Sequence, residues 1–225
     1  MIVAPAPACR VVDTSYRTTA TVRAALTQLG YWGIVRYVPL PGVNPAADID
    51  QEELDAILAD GFGSWWVQHP RYPGWKPREH DPEADAMCAV RCARAAGYLP
   101  GCHGFVDAEG MSADTTHADA FAYNCRWSHV LVSEGYRAGL YDGYSQPETP
   151  EELYTIHDVD CYWSDAAHRR VAVRGCAVVQ GQQFSLHGVP FDPDIVAPDL
   201  LGGTPWWVGS DPAAERPTQP ELPSS

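Results

Sequence analysis

Residues 101–110 read GCHGFVDAEG, a short apolar run that ends in two carboxylates, Asp107 and Glu109. The run is bounded by glycines and is too short for an ordinary helix, which is typical of a buried strand. Helical patterns lie on both sides of it, at 81–98 and at 116–135. A strand between two helices indicates a parallel β-sheet that is covered by helices.

The same alternation extends outward in both directions along the chain. It predicts five strand–helix units, after which three strands follow without helices between them. The predicted strands are 9–13, 33–40, 63–70, 101–110, 136–145, 161–166, 176–184 and 189–196, and the predicted helices are 19–30, 48–61, 81–98, 116–135 and 149–156.

Eight strands in this order predict closure into a parallel barrel. Because helices are missing after the fifth unit, the expected fold is α/β, a TIM-like barrel of the incomplete (β/α)5 type followed by three β-strands. An open doubly wound sheet is the alternative, although no GxGxxG motif follows the first strand. We expect residues 1–209 to form the barrel and the proline-rich residues 210–225 to form a linker or disordered tail.

Composition excludes several classes of function. The chain is 45% hydrophobic and 20% charged, as in an ordinary folded protein. Its formal net charge is −14 without any basic run, which argues against nucleic acid and against an anionic membrane surface as partners. No segment approaches the roughly 18 apolar residues of a membrane span. The first residues lack the regions of a signal peptide, so we expect synthesis in the cytoplasm.

Acidic residues close several of the predicted strands. Asp13 ends the first strand, Asp107 and Glu109 end the fourth, Asp142 lies near the end of the fifth, and Asp192 lies in the last. The strand ends of a parallel barrel gather at one mouth, where catalytic groups lie. Two close carboxyl groups in a dry setting push one pKa upward and give a proton donor beside an anion. Glycoside hydrolysis needs that combination.

Aromatic faces that could stack on a sugar ring lie near the same strand ends. The candidates for substrate binding are Tyr37, Trp65, Gln68, Tyr144 and Trp163. In the pair Trp65–Trp66, strand alternation places one ring inside the barrel and the other under the helices. The pair Trp206–Trp207 follows the last strand and is expected to seal the barrel bottom rather than to bind a ligand.

Three motifs occur in order along the chain: DTSYRTTATVRAALTQLGYWGIVRY at 13–37, VDAEG at 106–110 and QQFSLHGVPFDPDIV at 182–196. With these motifs the chain, from about residue 9 to residue 200, closely resembles the glycoside-hydrolase-like barrel known as domain of unknown function 1906. That group is similar to the family 25 glycoside hydrolases, the lysozyme-like muramidases.

The resemblance implies the five-plus-three barrel and a glycan substrate, most plausibly cell-wall peptidoglycan or a related N-acetyl-sugar polymer. It places the catalytic residues at Asp13, Asp107, Glu109 and Asp192. The muramidase ending QY…VDxN is replaced here by QQF…FDPD, which contains Gln183 and Asp194. Asp194 stands where an asparagine is usual, and both residues are expected to bind substrate.

The mechanistic hypothesis gives each acid a role. Glu109 protonates the leaving glycosidic oxygen and then serves as the base for water. Asp107 orients a neighbouring group of the substrate or stabilises the oxocarbenium-like centre. Asp13 and Asp192 hold sugar hydroxyls or tune the acid. No metal and no cofactor is expected.

A non-catalytic barrel is the alternative class, one that binds glycan or serves as a structural part of a phage virion, with a partner on the tail. An enzyme of this kind would act at the cell wall after lysis or as part of a phage particle.

Other interpretations of the same residues stay open. Asp107 and Glu109 could cap the next helix. A zinc site at Cys88, Cys92 and His103, or a metal site of His69, His103 and His187 with Asp107, lacks the usual ligand spacing. The seven cysteines are interpreted as reduced core thiols, no serine lies in a G-x-S-x-G motif, and the acid-rich helix 48–60 is expected to be a solvated face.

Overall fold

The computed structural model of the protein describes residues 1–41, 48–165 and 171–209. The predicted tail, residues 210–225, lies outside the described residues, so its separation from the barrel stays a prediction. Across the three described ranges, no helix is both long enough and apolar enough to cross a membrane.

The described chain is a mixed α/β fold with five α-helices. The strands are β1 (Ile2–Val3), β2 (Cys9–Thr14), β3 (Gly33–Val38), β4 (Trp66–Gln68), β5 (His103–Asp107), β6 (Arg137–Asp142), β7 (Val159–Ser164), β8 (Val178–Gln180), β9 (Phe184–Leu186), β10 (Val189–Val196) and β11 (Trp207–Val208). The helices are α1 (Ala20–Gln28), α2 (Gln51–Ala59), α3 (Pro82–Ala96), α4 (His117–Ser133) and α5 (Pro150–Tyr154), with a 3-10 turn at Pro77–Glu79.

Eight strands close into a barrel in the order β2-β3-β4-β5-β6-β7-β8-β10, and β10 pairs with β2 to complete the ring. The neighbouring strands from β2 to β8 are parallel. Their carboxyl ends therefore meet at one mouth of the barrel, as the sequence predicted.

The direction of the last barrel strand differs from the sequence prediction. β10 runs antiparallel to both β8 and β2, whereas eight parallel strands were expected. The cause is the short connection 181–188, since a parallel crossover needs a dozen or more residues. Part of the predicted strand 176–184 forms β9 instead, which makes a hairpin with β10.

Each helix begins at a residue whose side chain caps its first turn, as is usual for Thr and Asp at this position. The capping residues are Thr19, Asp50, Asp81, Thr116 and Thr149. Thr116 caps α4, the helix that follows β5, so Asp107 and Glu109 do not have the helix-capping role that was one interpretation of this pair.

Aromatic side chains fill the lower part of the barrel. Trp65 points inward, where its ring stacks at 6.1 Å on Trp207, while Trp66 points outward and packs against Trp127 of α4. Trp207 lies against Gly33 and Gly63 at the amino ends of the strands, where an added Cβ would approach its ring to 2.6 and 2.2 Å. The barrel is therefore sealed at its bottom by Trp207, and its open end is the mouth.

Candidate active site

Carboxylates from distant parts of the chain converge at the mouth of the barrel. Asp13 and Asp107 lie at the ends of β2 and β5, and Asp192 pairs directly with Asp13 across β2 and β10. A cavity of about 120 Å³ lies between Asp107 and Asp192. The cavity is lined by Tyr37, Asp107, Glu109, Tyr141, Trp163, Gln180 and Asp192.

Asp107 and Glu109 form the acidic pair on one wall of this cavity. The backbone N–H of Glu109 donates to Oδ1 of Asp107 at 3.2 Å, and the indole N–H of Trp75 donates to the Glu109 carbonyl at 2.9 Å. Asp107 is buried, while Glu109 is partly exposed. Burial, followed by the charges of Glu109 and Asp13, raises the pKa of Asp107 well above its usual range.

Asp13 lies deeper in the barrel and is held by two neutral donors. The Tyr37 hydroxyl donates to its Oδ1 at 3.3 Å, and the Gln180 amide donates to its Oδ2 at 3.1 Å. Burial, followed by the charge of Asp192, raises the pKa of Asp13 to about 7 despite these hydrogen bonds. Asp13 can therefore change protonation state near neutral pH.

Asp192 and Gln183 form the outer edge of the same wall. Asp192 is half-buried, and its Oδ2 accepts from the amide of exposed Gln183 at 3.3 Å. Burial raises the pKa of Asp192. Both side chains lie where a ligand entering from solvent would meet them.

Aromatic residues complete the floor and the rim. The Trp163 indole donates to Oδ1 of Asp194 at 2.8 Å, and the Tyr141 hydroxyl donates to Oε1 of Gln180 at 2.9 Å. Tyr144 is 44% exposed. Partial burial raises its pKa, and the charges of Glu109 and Asp107 raise it further. The Tyr144 hydroxyl lies beside Gly110, the residue after Glu109, and does not line the cavity.

Two predicted binding residues lie away from the cavity. Trp65 is fully buried in the barrel core between Phe105 and Trp207. Gln68 is buried on the outer side of its strand, where its Oε1 accepts from the Trp127 indole at 2.7 Å. The geometry gives neither side chain a contact with the cavity.

Tyr141 and Gln180 were missed by the sequence prediction. Tyr141 lies in register with Asp107 and Trp163, so its side chain shares their inner face of the barrel. Because side chains alternate along a strand, the neighbouring Asp142 faces outward. Gln180 closes β8, a strand of three residues, and its pairing with Asp194 depends on the antiparallel direction of β10. The short connection before β10 was the signal in the sequence for that direction, because it excludes a parallel crossover.

The metal alternatives gain no support from the described residues. No group of three or more His, Cys, Asp or Glu side chains in those ranges is arranged to hold a metal ion. His103 lies at the bottom of the barrel, where its Nε2 is 2.7 Å from Asp160. No disulfide joins any two of the seven cysteines, all of which lie in the described ranges.

A closed barrel with carboxylates at its mouth defines a class of glycoside-hydrolase-like proteins, and comparison with known families agrees. Residues 24–182 match the Rv2525c-like, glycoside hydrolase-like domain. The chain belongs to this family, which confirms the resemblance found in the sequence. No curated protein matches the sequence.

Solved structures share the fold at low sequence identity. The spore cortex lytic enzyme SleM of Clostridium perfringens aligns with a TM-score of 0.64 and 14% identity, over 87% of this chain and 69% of that one. The Tat-secreted protein Rv2525c of Mycobacterium tuberculosis, crystallised with L-tartrate, gives 0.62 and 13%, over 88% and 98%. A muramidase from Acremonium alcalophilum gives 0.58 and 10%, over 86% and 95%. Identities this low show a common fold.

Proposed function

We propose that the protein is a glycoside hydrolase that cleaves peptidoglycan or a related glycan of N-acetyl sugars. One observation carries the proposal: Asp13, Asp107, Glu109 and Asp192 come from three strands and the segment after one of them, and they meet at one mouth. We infer further that the barrel is of the incomplete (β/α)5 type followed by three strands. In a barrel of this type that mouth is the place for catalytic groups.

Glu109 is the general acid in this proposal. It lies at the opening of the cavity and is more exposed than Asp107, so a glycosidic oxygen can reach it. The Trp75 hydrogen bond holds its backbone in place. Its proton passes to the leaving oxygen as the glycosidic C–O bond breaks, and Glu109 then removes a proton from the attacking water.

Asp107 acts on the reacting sugar itself. For an N-acetyl sugar, the substrate's own acetamido oxygen attacks the anomeric carbon, as in substrate-assisted glycosidases. Asp107 lies beside Glu109 and is placed to orient that acetamido group or to stabilise the oxocarbenium-like centre. The charge of Glu109 contributes to raising the pKa of Asp107, so the protonation of either carboxyl group affects that of the other.

The remaining residues bind the sugar. Asp13, Asp192 and Gln183 are placed to accept or donate hydrogen bonds to hydroxyl groups. Tyr37, Trp163 and exposed Tyr144 offer aromatic faces near the acids, which suits a sugar ring. SleM is a spore cortex lytic enzyme and the Acremonium protein is a muramidase, which supports a glycan as the substrate class.

A binding or structural barrel without catalysis is the second candidate. It is favoured by the size of the cavity, since about 120 Å³ is below the roughly 300 Å³ of typical small-ligand pockets. Such a barrel could belong to a phage virion. An enzyme of this kind would reach the cell wall after lysis or as part of a phage particle. Probing purified virions with an antibody against this chain tests whether the protein is part of a particle.

The test is release of soluble fragments from purified peptidoglycan by wild type and by Glu109→Gln. We expect the substitution to lower turnover at least a hundredfold, because a general acid contributes about that factor or more. Glu151→Gln removes an exposed carboxylate that does not line the cavity and should keep wild-type turnover. Thermal unfolding checks that each variant is folded. Full activity of a folded Glu109→Gln protein would refute the assignment.

A further inference from the structure

Asp13 and Asp194 lie side by side beneath the cavity on paired strands. Asp192 is directly opposite Asp13, and Asp194 is opposite Val11. Because side chains alternate along a strand, Asp13 and Asp194 share the inner face as diagonal neighbours. Both residues are 1% exposed, and the two carboxyl groups are close enough that each affects the pKa of the other.

The hydrogen bonds around the pair leave one oxygen without a donor. Both oxygens of Asp13 accept, from Tyr37 and from Gln180. Oδ1 of Asp194 accepts from Trp163, while Oδ2 has no donor among the described residues. A buried acceptor without a donor is costly. A contact between two carboxyl groups becomes a hydrogen bond only when one of them carries a proton.

No described positive charge offsets two anions at this position. The titratable groups that face the pair are Asp192 on β10, Asp107 and Glu109 beside β5, Tyr37 on β3 and Tyr141 on β6, and none of them can supply a positive charge. Trp163 and Gln180 are neutral donors. Two ionised carboxylates would therefore be buried together without compensation, which proteins avoid by keeping one of them protonated.

We propose that Asp194 is a positioning residue that keeps a proton at neutral pH and donates a hydrogen bond through it to the Asp13 carboxylate. The pair then holds one negative charge, located on Asp13, and every oxygen is satisfied: Asp13 accepts from three groups, and Asp194 accepts from Trp163 and donates to Asp13. This arrangement fixes the orientation of the Asp13 carboxylate beneath Tyr37 and Gln180, which line the cavity. Burial and the charge of Asp13 raise the pKa of Asp194 in the direction that this arrangement requires.

The proposal concerns a protonation state and is tested without turnover, so it stands or falls separately from the proposed function. In Asp194→Asn, the amide oxygen can accept from Trp163 and the amide N–H can donate to Asp13 without taking up a proton. The native wild type holds a proton that the unfolded chain releases above a pKa of about 3.9. As pH rises, the folding equilibrium constant of wild type therefore falls relative to that of the variant. The fall is about tenfold per pH unit and stops where the folded wild type also loses this proton.

Chemical unfolding at several pH values measures this difference. We expect the Asp194→Asn and wild-type stabilities to diverge from about pH 5 to pH 7, with the variant becoming the more stable. Asp55→Asn, which removes an exposed carboxylate on α2, should stay parallel to wild type. Parallel curves for Asp194→Asn and wild type would overturn the proposal.

A second measurement covers the case in which Asp194→Asn does not fold. Carbon-13 labelling of aspartate carboxyl groups in wild type reports ionisation directly, and Asp13→Asn identifies the two signals of the pair by removing one and moving the other. We expect one carboxyl of the pair to remain protonated at neutral pH. Two signals that both ionise at the ordinary pH of an aspartate would overturn the proposal.

Discussion

Gly143 lies directly beyond β6, and its lack of a side chain makes room for Glu109. A Cβ added at this position would lie 2.5 Å from Oε2 of Glu109 and 2.6 Å from Cε1 of Tyr141. Both contacts are too short for a Cβ, so the Glu109 carboxyl group and the Tyr141 ring would each have to move. The position of the proposed general acid therefore depends on a residue that has no functional group of its own.

Gly143→Ala is predicted to lower turnover strongly with a modest loss of stability. Displacement of a catalytic group by about 1 Å can cost on the order of a hundredfold in rate, whereas overpacking against Glu109 and the Tyr141 ring should cost about 1 to 3 kcal/mol. Rate measurements on peptidoglycan and urea unfolding of the same preparation check the two parts. Gly181→Ala is the matched control, because its added Cβ meets Pro193 only at 3.4 Å. Equal activity of the two variants would contradict the placement of Glu109.

Single residues at this site were predictable where a strand ended in an acid. Asp13 and Asp107 follow from strand periodicity and from the rule that parallel strand ends meet, whereas Asp192 was assigned from the family resemblance and lies within the antiparallel strand β10. Trp65 and Gln68 were assigned to substrate binding, but both lie away from the cavity. Trp65 faces inward below the cavity, and Gln68 faces outward on its strand. Asp194 has no feature in the sequence that reveals its proton, which depends on burial beside Asp13.

At the scale of elements, α2 is attached to the barrel by a buried ion pair. Arg36 of β3 donates through Nε to Oε1 of Glu53 at 3.0 Å and through Nη2 to Oε2 at 3.1 Å. Thr18 also donates to Oε1 of Glu53, through its backbone N–H at 2.7 Å and its hydroxyl at 2.9 Å. The helix was expected to present a solvated acidic face, and Glu53 is the exception that the acid-rich pattern concealed.

Glu53→Gln is predicted to destabilise the fold by about 3 to 5 kcal/mol, since it leaves a buried guanidinium without its counter-charge. The neighbouring Glu52→Gln should cost about 1 kcal/mol or less, because its side chain is 89% exposed and its contact with Arg17 is a surface ion pair. Urea unfolding of both variants measures the difference. Similar losses for the two would show that the Arg36–Glu53 pair does not hold α2.

The order of elements was predictable because each helix has a capping residue and each barrel strand has an apolar run. The direction of β10 was not predicted, although the short connection 181–188 already excluded a parallel crossover. Strand lengths were also overestimated, since β4 and β8 span three residues each. Tertiary packing ends such strands, and local sequence carries little information about it.

At the scale of the whole molecule, buried acids make stability depend on pH. Burial raises the pKa of Asp13, Asp107 and Asp194 in the folded state. A raised folded pKa contributes stability that is complete below the unfolded value of about 3.9 and is lost as pH rises through the folded value. His103 acts in the opposite sense, since burial lowers its pKa and its contribution is lost as pH falls below about 6.5.

We therefore predict that the melting temperature decreases from mildly acidic to alkaline pH. The three buried aspartates outnumber the opposing buried histidine, and each bound proton changes the free energy of unfolding by up to about 1.4 kcal/mol per pH unit. Differential scanning calorimetry from about pH 5 to pH 9 measures the trend. Asp107→Asn should make the slope shallower, and a melting temperature that rises across this range would be inconsistent with protonated acids at the mouth.

The most direct test of the central claim is mass spectrometry of peptidoglycan digested in water enriched in heavy oxygen. If the carboxylates at the barrel mouth hydrolyse a glycosidic bond, wild type produces new reducing ends that each carry one heavy oxygen atom. Glu109→Gln, treated identically and shown to be folded, produces none. Wild-type digests without labelled reducing ends, or equal labelling by Glu109→Gln, would contradict the assignment of this mouth as a glycoside-hydrolase active site.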